Sequence, residues 1–137
     1  MTATLEERIA IARAHAAAER RGDLEATLAT LDPDPLYELL PVGRAFRGMD
    51  AARRYYEHFF ANFRPLARAS EMHAEWANEV GVAQEYTIHL HLADGSEERH
   101  RLIAILTFGK EKLSGERVYA SDRLLRLMFG PAYDLAI

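Results

Sequence analysis

With no cysteine among its 137 residues, this chain has no thiolate nucleophile, disulfide or cysteine-based zinc site, so proton-transfer chemistry falls to histidine and carboxylate. His15 lies in an alanine-rich segment of helical spacing, where an imidazole is either a hydrogen-bonded core residue or a group that exchanges protons near neutrality. Asp122, in VYASDRLLRLMFG, follows a strand-like run and precedes a leucine-rich one; it is the second proton-handling candidate, or else a cap at the strand end. Glu38 sits in a short apolar run and is a third polar candidate. His89 and His91 alternate on a strand and so share a face, but no third or fourth ligand follows at metal-site spacing, and no metal or other cofactor is expected. Ser114 and Ser121 lack the neighbouring histidine and aspartate that would mark a nucleophile.

The composition bounds what these residues can serve. A net charge of -4 lacks the clustered basic face that phosphate binding requires, so no nucleic-acid partner is expected. Tyr55, Tyr56, Phe59 and Phe60 then read as core and pocket wall rather than as a platform for bases. No apolar stretch approaches the roughly 20 residues that cross a bilayer, and acidic residues precede any apolar run at the N-terminus; no membrane association is expected, and the cytoplasm is the expected location. The length suits one domain, residues 1–137, with a single core.

Periodicity supplies the elements that must position the candidates. Leu5 to Arg21 reads as a helix ended by Gly22, and Asp23 is placed to cap a second helix, Leu24 to Leu31. Asp32-Pro33-Asp34-Pro35 stops that helix before a short strand, Leu36 to Leu40. Pro41 to Gly48 is a turn or short hairpin, and Asp50 to Phe63 a third helix with Tyr55, Phe59 and Phe63 on one side. Strands follow: Leu66 to Trp76 alternates poorly, Val80 to Leu92 and Glu97 to Phe108 flank an Ala93-Asp94-Gly95-Ser96 turn, and Glu116 to Ser121 comes last. Three antiparallel strands in a meander are expected. The tail from Arg123 to Ile137 is too apolar for solvent and is expected to pack on the sheet rim as a helical turn or extended segment.

Gly22-Asp23-Leu24 between the first helices, Pro41-Val42-Gly43 and Arg47-Gly48 before the third, Ala77-Asn78-Glu79 opening a strand, and the stretch from Glu116 to Gly130 together resemble the nuclear transport factor 2-like superfamily. That superfamily includes SnoaL-like polyketide cyclases, ketosteroid isomerases, scytalone dehydratases and limonene epoxide hydrolases. The resemblance implies an α+β fold, a cone-shaped curved antiparallel sheet wrapped around three N-terminal helices. It also implies what chemistry is absent. His15 falls where the isomerases carry the tyrosine that hydrogen-bonds the enolate oxygen, Leu40 where they carry the proton-shuttling aspartate, and Ala104 where they carry a buried aspartic acid, so steroid isomerisation is excluded. No Asp-Arg-Asp trio suits epoxide hydrolysis. In SnoaL-like cyclases an aspartate placed like Asp122 is the general acid/base of an intramolecular aldol closure.

Strand parity under this resemblance turns Glu38, Leu40, Gln84, Tyr86, Ile88, Leu102, Leu106 and Tyr119 into the cone. With His15, Tyr55, Phe59 and Trp76 they outline a mostly apolar cavity suited to a small hydrophobic ligand. Ile103 and Ile105 fall on the outer face, with Thr87 and His89 beside them, an apolar centre with a polar rim that suggests a homodimer. Three readings stay open: a cyclase, isomerase or dehydratase acting by general acid/base catalysis through His15 and Asp122; a non-catalytic carrier or sensor; and a dimerisation or interaction module.

Overall fold

A computed structural model describes residues 3–137. Helix α1 (Leu5–Arg21) opens at Thr4, whose hydroxyl accepts the Glu7 amide, and closes at Gly22, where a φ of 72° favours glycine. Asp23 accepts the Ala26 amide and starts α2 (Leu24–Ala29). This helix ends at Ala29 rather than Leu31, because Thr30 turns its hydroxyl back onto the Thr27 carbonyl and Leu31 begins strand β1 (Leu31–Leu40). The two prolines stop the helix as expected yet lie inside the strand. Residues before proline favour extended backbone, and pairing jumps from Leu31–Leu113 to Leu36–Gly115, an irregularity that leaves the prolines no ladder amide to supply.

Strand β2 (Arg44–Arg47) returns antiparallel to β1, and α3 (Met49–His58) runs into a π-helical turn at Phe59–Phe63 and a short 3-10 turn at Arg64–Leu66. Strands β3 (Ala67–Ala77), β4 (Gly81–His91), β5 (Glu97–Phe108) and β6 (Leu113–Tyr119) form the meander, four strands rather than three. The six strands make one curved, unclosed sheet in the order β2-β1-β6-β5-β4-β3, with N-terminal helices against its concave face. It is antiparallel except between β1 and β6, which are parallel because the chain passes through α3 and the meander before returning beside β1.

The tail forms two helices, α4 (Asp122–Phe129) and α5 (Pro131–Leu135). Leu124, Leu125, Met128 and Phe129 are the buried side of α4, and Phe129 stacks on Tyr55 with ring centroids 4.3 Å apart. The tail therefore fills one end of the cone instead of resting on its rim. Tyr37, Phe46, Tyr55 and Phe129 make an aromatic cluster there, joined to Leu102, Leu106 and Leu124 in one core.

Register fixes the faces. Tyr37, Glu116, Leu106 and Val82 lie abreast across four strands, and so do Leu39, Val118, Ala104 and Gln84 on the same concave face. The parity expected for β4 and β5 holds, but β1 and β6 are opposite to expectation. Glu38 pairs beside Arg117, and Leu40 beside Tyr119 and Ile103, on the convex face. The pairing of β5 with β6 shifts register between Thr107 and Phe108, and a one-residue slip exchanges every side chain between faces.

Candidate functional site

Two ionisable side chains of α1 meet a third from the distant strand β6 between helix and sheet. His15 projects from α1 toward the sheet and is 1% exposed; Glu19 lies one helical turn on; Glu116 rises from the concave face of β6 and is 9% exposed. One ligand atom from each lies within 4.8 Å of the others. His15 Nε2 is 2.7 Å from Glu19 Oε1 and 3.0 Å from the Tyr56 hydroxyl, which is 2.6 Å from that of Tyr37.

The hydrogen bonds have a direction. Thr30 donates its hydroxyl proton to the Thr27 carbonyl, so it accepts from His15 Nδ1 at 2.7 Å. Tyr56 donates to Glu19 Oε1 at 3.3 Å, which leaves Tyr37 to donate to Tyr56. With Nδ1 committed as a donor, a neutral imidazole would turn the Nε2 lone pair onto the Glu19 oxygen, so a proton must lie between them. Burial opposes charge on the imidazole, but the charge and hydrogen bond of Glu19 outweigh it and raise the His15 pKa, and Glu116 adds to the rise only once it ionises. Burial and the Glu19 charge push Glu116 up to about 8, partly offset by His15, so Glu116 holds its proton at neutral pH. Among the described residues its Oε2 has no hydrogen-bond partner.

A histidine and two carboxylates are also a donor set for a divalent cation. The 2.7 Å approach of Nε2 to Oε1 is a hydrogen-bond length, shorter than the ~3 Å or more that two ligands of one ion keep at metal–ligand distances near 2.1 Å. The spacing fits a shared proton.

Beside this cluster a cavity of about 530 Å³ opens between the C-terminal half of α1, the π-helical turn and strands β3 and β4. Phe59, Phe63, Met72, Tyr86 and Ile88 give it apolar walls, and Gln84 and Glu19 are polar members. Glu19 thus belongs both to the cavity and to the buried cluster. Two irregularities shape the opening. The Arg64 amide donates to the Phe59 carbonyl five residues back, the π-helical bond that turns Phe59 and Phe63 to the cavity, and a register shift between Ala67 and Ala69 leaves Arg68 as a bulged residue on its rim.

Of the residues expected in the cavity, Phe59, Gln84, Tyr86 and Ile88 line it. His15 faces inward, behind Glu19. Tyr55, Leu102 and Leu106 are buried core, and Phe129 of α4 covers Tyr55 where a ligand was expected. Glu38 is 3.5 Å from Arg117 on the convex face, where Leu40 also lies. Trp76, paired with Ala83 and through it with Ile105, is 49% exposed on that face, and Tyr119 is 42% exposed. Asp122 does not join His15. It sits in the first turn of α4, paired with Arg126 at 2.8 Å and accepting the Tyr133 hydroxyl, and these two bonds lower its pKa. Glu19, Tyr37 and Glu116 were missed, and Tyr56 was read only as core and pocket wall. Glu19 carried a legible signal, lying four residues after His15 on one helix face; Glu116 did not, since its inward direction depends on the register of β6.

A model of the SnoaL-like domain matches residues 12–115. An NTF2-like protein from Anabaena variabilis superposes with a TM-score of 0.70 at 17% identity, covering 89% of this chain and 95% of that one. A candidate polyketide cyclase from Xanthomonas campestris pv. campestris gives 0.68 at 19% identity, covering 92% and 98%. AclR, a candidate hydroxylase from Streptomyces galilaeus, gives 0.67 at 20% identity, covering 93% and 83%. No match is found among curated proteins.

Proposed function

This chain belongs to the SnoaL-like domain family, and from that premise we propose that it binds a small apolar molecule in the cavity beside Glu19 and moves a proton on it. The observation that carries this reading is the pair of neighbouring carboxylates held in different environments around one imidazole. Glu19, at the cavity wall, receives the donors of His15 and Tyr56, while desolvated Glu116 keeps its proton. Glu19 is the base that meets substrate. It would take a proton from a carbon next to a carbonyl, the electron pair passing to the carbonyl oxygen as an enolate. Return of that proton to another carbon is an isomerisation; attack of the enolate carbon on a second carbonyl, with the proton delivered to the new alkoxide, is a cyclisation. His15 holds and relays the proton, Tyr37 and Tyr56 orient it, and this reading gives Asp122 no part. No group beyond the chain's own side chains is needed for such steps.

The test begins with native mass spectrometry of the purified protein to identify a co-purified molecule, followed by turnover assays on it or on 1,3-dicarbonyl analogues. Loss of turnover with binding retained in Glu19→Gln and His15→Ala is expected. Binding with no turnover by the unaltered protein would make the chain a carrier.

We also propose a homodimer through the convex face. Its support is an apolar strip of Trp76, Ile105, Ile103, Leu40 and Tyr119, flanked by the Glu85–Arg101 and Glu38–Arg117 pairs. Sedimentation velocity is expected to find a dimer that Ile105→Asp dissociates. A monomer at micromolar concentration would remove this proposal.

A further inference from the structure

Three arginines, Arg20, Arg64 and Arg68, line the same cavity, and among the described residues none has a carboxylate within 4.0 Å. Arg47, Arg53, Arg101, Arg123 and Arg126 each hold an acidic partner; Arg13, Arg54 and Arg99 are exposed without one among the described residues, but they do not share a cavity as Arg20, Arg64 and Arg68 do. Their grouping on one cavity falls in a chain that is acidic as a whole, with a net charge of -4. Like charges gathered at one opening raise one another's energy, and an anion placed among them removes that cost.

The backbone aims these groups from three separate elements. Arg20 is in the last turn of α1, and Arg64 follows the π-helical turn and donates to the Arg20 carbonyl, which ties the two together. Arg68 is the extra residue of the β3 bulge, a backbone device that redirects one side chain. All three are exposed, so an arriving anion meets them before it enters. Inside lie Phe59, Tyr86 and Ile88, and Glu19 is at the inner wall.

We propose that the ligand is an apolar molecule carrying one anionic group, a carboxylate or its equivalent. The anion is held at the mouth by Arg68 with Arg20 and Arg64, and the apolar body lies against Phe59 and Tyr86 with its reactive carbon toward Glu19. This rests on the cavity reading above and adds the charge and orientation of what enters. The arginine rim sets direction as well as affinity, since the reversed pose would bury the anion against Glu19.

The test pairs each acid with its neutral isostere: 1-naphthylacetate with 1-naphthylacetamide, and dodecanoate with dodecanamide, titrated calorimetrically against the full chain. Each acid is expected to bind about fivefold or more tightly than its amide at low salt, with the gap shrinking as salt rises. Arg68→Gln is expected to weaken the acid roughly threefold and leave the amide unchanged. Arg64→Gln alone would not decide the matter, because Arg64 also bonds the end of α1; Arg68 is free of that role. Equal binding of acid and amide, unaffected by Arg68→Gln, overturns the anionic class and leaves the cavity reading standing. Binding of none of the four at millimolar concentration overturns both.

Discussion

Glu116 and His15 both bind protons more tightly in the folded chain than when unfolded, and for both groups the sign of the effect on stability is the same. A raised folded-state pKa stabilises most below the unfolded value and loses that contribution as pH rises through the folded value. For Glu116 the window runs from about 4.5 to about 8, with His15 adding to its upper part. Urea denaturation is therefore expected to give a stability that falls between pH 5 and about 8, and Glu116→Gln should flatten most of the slope. An unchanged slope would place the proton elsewhere. Tyr37→Phe removes the donor to Tyr56 and is expected to cost about 1 kcal/mol by the same measurement.

At the level of elements, small departures from regular geometry do most to build the site. The π-helical turn and the β3 bulge both border the cavity, and the irregular pairing of β1 with β6 accommodates two prolines. Gly115 marks how tightly that last junction is held. Its φ of 144° is unfavourable for other residues, and a Cβ there would run into the Leu36 carbonyl. Gly115→Ala is expected to lose roughly 2–4 kcal/mol or fail to fold. Because β6 also carries Glu116, a variant that survives should show a weaker pH dependence of stability, which separates displacement of the strand from simple loss of stability.

At the scale of the whole molecule, the C-terminal helices decide how much of the cone is available. Phe129 is fully buried against Tyr55 and Phe46, and Phe129→Ala should cost about 3–5 kcal/mol in a calorimetric melt. If the variant keeps its fold, a void beside Tyr55 should admit xenon in a crystal, whereas the unaltered chain is expected to take none at that place. No helix of the described chain is long and apolar enough to cross a membrane.

Local chemistry made the first helices and the strands of the β3–β5 stretch readable in the amino-acid order: Gly22 and Asp23 mark the junction of α1 and α2, and period-two alternation, with its inner set chosen through the family resemblance, placed the faces of β4 and β5. The inward turn of His15 and the cavity positions of Phe59, Gln84, Tyr86 and Ile88 match what such short-range patterns and the family resemblance together implied. Everything that depended on how separated segments align was hidden. Whether Glu116 or Tyr119 faces the cone turns on a one-residue register between β5 and β6, and whether Tyr55 meets ligand or Phe129 turns on where a distant helix docks. The sequence determined which surfaces must be covered, because amphipathic spacing and capping act over a few residues. Only tertiary structure decided which side chains cover them and which two acids flank His15, since long-range packing and strand register choose among arrangements that local preference leaves nearly equal.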